Sequence, residues 1–589
     1  MVRSVAVLPD PRELRDPSCV NPRSGDRQTW APLLLILATS VPSLYGPLAA
    51  ISGHRGAYAL GTALMLVIAG ALPFVWPRSV ELRSGPLRRA PAIVAALVGL
   101  VLLVTSAFRL LPHVFIGPID STRGDMLVIV EHAITLFLDG GHPYAVHHVP
   151  WDAPLSYGPP LWMPLIVPYL LRADFRIVTL AAQLVVPGCL FLAAAFRAGQ
   201  YRIASAAVML GAGAALAFNP EIARFYPIGH TQMYWPLILV FCGLLAARRW
   251  TAAAICLGLL VAARTTMVSL VPVFLLYLFG ERALTLRRAA TLALAALLPF
   301  LPFVIADPGT VWYAMFGVYM KVMKGFVWHS TRWAVDTYGI TGRLLELALE
   351  RYVEATQIAA LLLTYALAWR SMRRGTRPEP WMAIALLVFS MTTLWPVIYL
   401  YFDVWIFVAC ALLASTTFWS SADAPAGSTV VRTTVLLLAL SLIVVLSTAA
   451  WRPGSAYAID VGSAAAAGLT GGGFGRDEAV VDEGRTVVWI EGETARIRLP
   501  RAGWTGAAIR VAIKPHAPQS GVDQRVAAAL NGRAIGSARL QNGWQEIVFE
   551  SRAPDWFYGF NVLDLRFSYA SPAADGRSLA AAIDWVRLE

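Results

Sequence analysis

Residues 91–111 of the chain read PAIVAALVGLVLLVTSAFRLL, an apolar run that is followed closely by a long polar segment. About 20 apolar residues in a helix are enough to cross the hydrocarbon layer of a membrane, which is about 30 Å thick. Similar runs recur along the chain: 57% of its 589 residues are hydrophobic and 14% are charged. This composition excludes an ordinary soluble globular protein and indicates an integral membrane protein.

The apolar runs predict a polytopic α-helical membrane protein with about 13 transmembrane helices. The long runs are residues 30–50, 57–76, 91–111, 175–197, 202–218, 231–248, 289–306, 381–399, 402–420 and 430–450. Three shorter runs cover residues 250–263, 265–279 and 356–370. The segment 159–171, PPLWMPLIVPYLL, is short and holds internal prolines, so we expect it to lie in the membrane interface or to dip partway in.

The arginines predict the orientation, because cytoplasmic loops keep an excess of Lys and Arg. They cluster before the first run and then in alternate loops, at Arg78–Arg89, Arg197–Arg202, Arg248–Arg249, Arg282–Arg288 and Arg370–Arg377. The amino-terminal arm, 1–29, is therefore expected in the cytoplasm. An odd number of spans places loop 112–174 and the carboxyl-terminal part outside. With no cleavable signal peptide and no disulfide expected outside, this organisation fits a bacterial plasma membrane.

The composition changes after the last run. Residues 455–589 contain short alternating segments such as AAIRVAIKP and WQEIVFE, separated by AsnGly turns at 531 and 542. This pattern predicts an extracytoplasmic all-β jelly-roll sandwich, while 30–450 forms the transmembrane domain. Residues 451–589 hold 15 basic and 15 acidic side chains, so the net charge of +12 belongs to the membrane part. Because the cytoplasmic arginines attract anionic lipid headgroups, no nucleic-acid partner is needed to explain it.

The segment 117–160 reads GPIDSTRGDMLVIVEHAITLFLDGGHPYAVHHVPWDAPLSYGPP and gathers acids, histidines and tyrosines beside apolar spans. Its Gly124-Asp125, Gly140-Gly141-x-Pro143-Tyr144 and Tyr157-Gly158-Pro159-Pro160 resemble the first extracytoplasmic loop of GT-C superfamily glycosyltransferases. The likeness is greatest to polyprenyl-phosphate-mannose-dependent mannosyltransferases. The segments GHTQMYW (229–235), AARTTM around Arg264 and VDTYGITGRLLE (335–346) are similar to further motifs of that family, so the resemblance covers most of 115–450.

The resemblance implies a GT-C fold and inverting transfer of a sugar, mannose or a related residue, from a polyprenyl-phosphate donor. No cofactor is expected beside that lipid-linked donor substrate, and dependence on a divalent metal stays open. The partners would be the donor, membrane lipids and an acceptor that is a glycolipid, a polysaccharide or a protein. The sandwich is similar to carbohydrate-binding-like domains. A lipid-linked glycan transporter or flippase and a cell-envelope scaffold remain alternatives.

The resemblance makes Asp125 the general base that activates the acceptor hydroxyl, held by a helix over 126–138. The alternative is a helix N-cap. Asp120 is either a second acid or a solvated loop residue. His132 is either a substrate contact or an interfacial polar residue. The tyrosines of the motif, Tyr144 and Tyr157, are also expected at the substrate.

Arginine 264 is the candidate for the donor phosphate, because a lone cation between apolar runs is costly unless it is paired; a structural ion pair or a snorkelling side chain is the alternative. Lys321 and Lys324 either contact lipid headgroups or form a funnel for the lipid phosphate. His230 and Gln232 either order a sugar or make helix-terminal hydrogen bonds. Where the family often has a His-Tyr pair, this chain has WPVIYLYFDV, which makes Tyr401 a candidate beside Tyr399 and Asp403. The histidines 142, 147 and 148 near Asp152 match no specific metal motif, and polar loop residues are the preferred interpretation.

Overall fold

The computed structural model describes residues 41–414 and 457–589 with internal gaps. The gaps are 42–43, 77–88, 112–118, 120–125, 149–151, 172, 200–202, 227–228, 230, 331–334, 336, 396–398, 463–465, 467–469, 476–479, 483–484, 502–506, 517–521, 553–554 and 557–558. Three candidate residues, Asp120, Asp125 and His230, lie outside the described residues. So do the predicted run 430–450 and most of 30–50.

The described part of residues 41–414 is mainly helical. Its helices are α1 (Tyr45–Val75), α2 (Arg89–Leu110), α3 (Met126–Leu138), α4 (Pro159–Trp162), α5 (Ile166–Leu170), α6 (Phe175–Gly199), α7 (Ile203–Ala217), α8 (Pro220–Phe225), α9 (Trp235–Ala246), α10 (Trp250–Ala263), α11 (Leu270–Gly280), α12 (Leu286–Leu297), α13 (Leu301–Ala306), α14 (Pro308–Trp312), α15 (Trp328–Ser330), α16 (Ile340–Glu346), α17 (Val353–Met372), α18 (Glu379–Met391) and α19 (Tyr399–Leu413). Short 3₁₀ turns cover Met163–Leu165, Thr231–Tyr234, Thr265–Ser269, Leu298–Phe300 and Glu350–Tyr352, and π-helical turns cover Tyr313–Gly317 and Tyr319–Val327.

Five helices within the described residues have the length and apolar composition to cross a membrane. They are Arg55–Phe74, Arg89–Leu110, Phe175–Gly199, Ser205–Ala223 and Leu286–Ala306. Six further apolar helices have 10–17 residues, among them most of α9, α10 and α19. A helical part with five candidate membrane helices and a carboxyl-terminal β region are thus observed, whereas the count of about 13 spans stays a prediction.

The helices differ in how much of their surface they bury. Helix α6 lies at the centre, packed against α2 and α7, and 89% of its apolar window is buried. Helix α2 buries only 28% of its window and exposes Val94, Val98 and Val101. A helix that is apolar all round and buried belongs to a core, while apolar side chains exposed along a whole face match contact with lipid.

The segment after α2 contains the predicted helix, confirmed as α3 with the bounds Met126–Leu138. Glycine 140 ends it with a left-handed φ of 82°, and Gly141 N donates to Leu136 O at 2.8 Å. This is a Schellman cap, which explains the Gly-Gly pair. A short antiparallel hairpin follows, formed by β1 (Val146–His148) and β2 (Asp152–Pro154). The segment 159–171 is broken into α4, a 3₁₀ turn and α5, as its prolines predict.

The carboxyl-terminal part is a two-sheet sandwich. Its strands are β3 (Tyr457–Asp460), β4 (Val480–Asp482), β5 (Arg485–Glu491), β6 (Thr494–Arg501), β7 (Ala507–Pro515), β8 (Arg525–Leu530), β9 (Arg533–Arg539), β10 (Gln545–Ser551), β11 (Gly559–Phe567), β12 (Ser571–Pro572) and β13 (Ser578–Leu588). One sheet has the order β10-β7-β13-β5-β4, with β3 and β12 also paired to β13, and the other has the order β6-β11-β8-β9. This is the strand order of a jelly roll.

A separate apolar core lies between the two sheets. It contains Ile490 and Ile509 from one sheet and Ile497 and Leu563 from the other. Among the tryptophans of this part, Trp556 is a core residue whose Nε1 donates to Ser551 Oγ at 2.6 Å. The indoles of Trp489, Trp544 and Trp585 are partly buried, and Trp504 lies outside the described residues.

Candidate functional site

A cavity of about 590 Å³ opens between the predicted loop motif and three other parts of the helical region. Its walls come from residues 152–157 of the hairpin, 263–268 after α10, 315–322 of the π-helical segment, and 389–400 at the junction of α18 and α19. Met126 and Ile129 of α3 also line it. Among the described residues that line it, Arg264 is the one cation and Asp152 the one carboxylate.

Arginine 264 lies at a break between two helical segments. Helix α10 ends at Ala263, Arg264 is extended (φ −144°, ψ 118°), and a 3₁₀ turn starts at Thr265. Only 8% of the Arg264 side chain is exposed. Non-helical backbone within an apolar helical region is tolerated where it is buried in protein or lines a cavity. The break therefore presents a cation to the cavity at a position where a straight helix would have continued.

An aspartate in α19 balances this cation. Asp403 is fully buried and interacts electrostatically with Arg264. Its carboxylate accepts hydrogen bonds from Tyr234 Oη at 2.5 Å and from Trp235 Nε1 at 3.0 Å. A buried charge is tolerated when it is paired and hydrogen-bonded. The two hydrogen bonds link the GHTQMYW segment to α19, and the charge interaction links α19 to Arg264 of the AARTTM segment.

The Tyr-Gly-Pro-Pro motif packs against the same break. A Cβ atom at Gly158 would lie 1.5 Å from the carbonyl oxygen of Ala262, so only glycine fits this approach. Tyrosine 157 lines the cavity. The buried Tyr144 hydroxyl donates to the Tyr157 carbonyl oxygen at 3.2 Å and accepts from Trp162 Nε1 at 3.3 Å. The two predicted tyrosines thus differ in position. Tyr157 lines the cavity, whereas Tyr144 does not line it and holds the Tyr157 backbone through a hydrogen bond.

The other described candidates do not line the cavity. The amide of Gln232 is buried without a hydrogen-bond partner among the described residues. Tyrosine 401 is buried, and its hydroxyl donates to Tyr338 O at 2.7 Å, which anchors the 335–346 segment. Lys321 is exposed, and Lys324 pairs with Glu354. The ammonium of Lys324 lies 5.9 Å from the ring of Trp328.

The three loop histidines have separate partners. His142 Nε2 lies 3.1 Å from Phe303 O, and His147 Nε2 lies 3.0 Å from Pro143 O. His148 Nδ1 lies 2.5 Å from Asp152 Oδ1. Burial lowers the pKa of His147, and His132 packs edge-on to it with ring centroids 6.5 Å apart. Among the residues that the structure describes, no three His, Cys, Asp or Glu side chains gather in a group suited to a metal.

Behind α3 lies a second charged cluster. Asp174 and the fully buried Arg176 are joined by hydrogen bonds of 2.9 Å and 2.6 Å. The half-buried Glu131 of α3 is close to both. Burial and the negative charge of Asp174 raise the pKa of Glu131 from 4.5 to about 7, and the positive charge of Arg176 lowers it by a smaller amount. This carboxyl therefore changes its charge near neutral pH.

Sequence reasoning missed part of the cavity. Thr266, Tyr319 and Trp395 line it, and the Thr266 hydroxyl is buried without a partner in the described structure. Thr266 belongs to the AARTTM segment and Trp395 begins the WPVIYLYFDV segment, but neither residue was a candidate. The signals for the buried network were the charges of Arg264 and Asp403 within apolar runs, because a charge in an apolar region is costly without a function or a partner.

Candidate residues Asp120, Asp125 and His230 cannot be assigned to the cavity, since they lie outside the described residues; the neighbour of Asp125, Met126, does line it. No protein-family model matches the sequence, and no curated protein is significantly similar to it.

Proposed function

We propose that this chain is a GT-C-type membrane glycosyltransferase. It moves a sugar, mannose or a related residue, from a polyprenyl-phosphate donor to an extracytoplasmic acceptor with inversion at the anomeric carbon. The observation that carries the proposal is the cavity with one buried cation, Arg264, at a helix break beside the Tyr157-Gly158-Pro159-Pro160 motif. The proposal includes a bacterial plasma-membrane location with the loop 112–174 outside.

The chemistry of the cavity suits a lipid phosphate. A guanidinium binds phosphate oxygens through charge-assisted hydrogen bonds, and these are stronger where water is scarce. Thr266 adds a buried hydroxyl beside Arg264. Apolar side chains, among them Met315, Phe316 and Val322, form the wall that a prenyl chain would contact. Arg264 is charged at any ordinary pH, and the negative charge of Asp403 offsets part of the cost of burying it when no phosphate is present.

The reaction has one proton to place. The acceptor oxygen forms a bond to the anomeric carbon while the bond between that carbon and the phosphate oxygen breaks, and the electron pair leaves with the polyprenyl phosphate. A carboxylate takes the proton of the acceptor hydroxyl and contributes typically about 10²- to 10⁴-fold. Asp125 is our candidate for this base on the sequence resemblance. Arg264 stabilises the charge that develops on the departing phosphate.

The test is transfer from radiolabelled polyprenyl-phosphate-mannose in membranes that carry equal amounts of each protein. We expect transfer by the wild type, loss of at least about 100-fold for Asp125→Asn, and a comparable loss for Arg264→Gln. Arg351→Gln serves as the matched control, because Arg351 is exposed and does not line the cavity. Unchanged transfer by Arg264→Gln would exclude Arg264 as the phosphate ligand. Absence of transfer by the wild type would contradict a mannosyl donor.

A further inference from the structure

One hydrogen-bonded pair beside the cavity has no role in the reaction described above. His148 and Asp152 face each other as the closing residues of the β1–β2 hairpin, and their side chains meet at 2.5 Å between Nδ1 and Oδ1. The His148 side chain is 78% exposed and that of Asp152 is 71% exposed. Because an exposed pair of this kind adds at most about 1 kcal/mol to stability, the fold does not depend on it.

Asp152 of this pair also lines the cavity. It is open to solvent, whereas Arg264 lines the cavity and is 8% exposed. The cavity lining therefore includes an exposed negative group and a buried positive group. An anionic lipid phosphate is attracted to the buried cation and repelled by the exposed carboxylate. The second substrate, which comes from the aqueous side, meets Asp152 first.

Aromatic rings line the same cavity as this carboxylate. Tyr157 follows the hairpin by a few residues, and Tyr319 and Trp395 line the cavity with their rings edge-to-face at 6.5 Å. Aromatic rings pack on apolar faces, and a sugar ring presents such a face beside its hydroxyl groups. A carboxylate accepts hydrogen bonds only, and its two oxygens can receive two neighbouring hydroxyl protons.

We propose that Asp152, held in place by His148, is the acceptor subsite, and that this subsite binds the hydroxyl groups of a neutral glycoside and disfavours an anionic one. When the Nδ1–H of His148 donates to Oδ1 of Asp152, the Oδ2 oxygen stays available for the ligand. His148 is thus a positioning residue. The inference rests on the proposed transferase function and specifies the chemistry of its acceptor.

The test measures acceptor binding without any donor. Purified full-length protein in lipid nanodiscs is titrated with octyl glucoside or octyl glucuronide below their micelle concentrations, with empty nanodiscs as the blank. The two ligands differ in one carboxylate. We expect the wild type to bind the glucoside at least about tenfold more tightly than the glucuronide. Asp152→Asn should weaken glucoside binding about tenfold and remove the discrimination, and His148→Ala should do so in part.

Asp139→Asn is the matched control, since Asp139 is an exposed carboxylate at the end of α3 that does not line the cavity. Equal affinity of the wild type for both ligands, or glucoside binding unchanged by Asp152→Asn, would overturn the subsite. These results are independent of transfer. If the protein transfers no sugar but still distinguishes the two ligands through Asp152, the subsite is supported and the transferase function is excluded. If it transfers sugar but binds both ligands equally, the transferase function is supported and the subsite is excluded.

Discussion

At the scale of single residues, Asp403 shows how a charge is kept in an apolar region. Its carboxylate accepts bonds from Tyr234 and Trp235 and lies near Arg264. Asp403→Asn keeps the size of the side chain but removes the charge that balances Arg264. We expect a loss of stability of about 1–3 kcal/mol, because buried polar groups are left poorly satisfied. Thermal unfolding in detergent measures it.

The control for this substitution is Asp523→Asn, which removes an exposed partner of Arg539 in the sandwich. An exposed pair of this kind contributes about 0–1 kcal/mol, so the unfolding temperature should barely move. Combining Asp403→Asn with Arg264→Gln should cost less than the two single changes together, because both charges of one pair are removed. Additive losses would show that Arg264 and Asp403 act independently.

Glutamate 131 predicts a pH dependence. Burial, with the charge of Asp174, raises its pKa from 4.5 to about 7, against the lowering effect of Arg176. The folded protein then holds this proton more tightly than the unfolded chain. Its contribution to the free energy of unfolding is full below pH 4.5 and is lost as the pH rises through about 7. Glu131→Gln should flatten the fall in thermal stability across this window.

The comparison uses apparent unfolding temperatures of wild type and Glu131→Gln at several pH values between 4 and 8, ~0.5 apart. Asp139→Asn, which changes an exposed carboxylate directly after the same helix, should follow the wild-type curve. If wild type and Glu131→Gln lose stability in parallel as the pH rises, the carboxyl of Glu131 is not the titrating group.

At the scale of elements, Gly158 sets how closely the Tyr-Gly-Pro-Pro loop approaches the end of α10. Since a Cβ atom would lie 1.5 Å from a backbone oxygen, Gly158→Ala must move one of the two segments. We expect lower thermal stability and at least about tenfold slower transfer, because displacement of groups at a reacting centre by about 1 Å is costly. Gly70→Ala is the control, as nothing lies within 4 Å of its Cβ position. Normal transfer by Gly158→Ala would show that this contact does not position the cavity.

The same elements show what sequence reasoning predicts well. Local signals were sufficient to predict α3 and to indicate that the proline-containing segment 159–171 is no single long helix. Each depends on periodicity or backbone geometry within a few residues. The pairing of Arg264 with Asp403 and the place of Trp395 in the cavity depend on packing between distant segments. No local pattern encodes such packing, so the candidates Gln232 and Tyr401 were chosen by motif and lie outside the cavity lining.

At the scale of the whole molecule, composition predicted a helical membrane part and a β part, and strand alternation predicted the sandwich. Neither pattern predicted where the helices of the helical part are interrupted. Helices α9, α10 and α11 are short, and a 3₁₀ turn joins α10 to α11, so hydropathy alone cannot say which of them cross a membrane. The break at Arg264 that forms the cavity is one of these interruptions.

The sandwich has its own apolar core, which predicts that residues 455–589 fold alone. Its buried residues form a cluster separate from that of the helical part, with Trp556 among them. A domain with its own core unfolds cooperatively when isolated. We expect the isolated segment to give a β-type circular dichroism spectrum and one sharp thermal transition.

Trp556→Ala should lower the stability by about 3–5 kcal/mol, because it leaves a cavity in the core. The half-buried Trp585 provides the comparison: Trp585→Ala should cost less. A gradual transition in the unsubstituted segment would mean that the sandwich requires the rest of the chain.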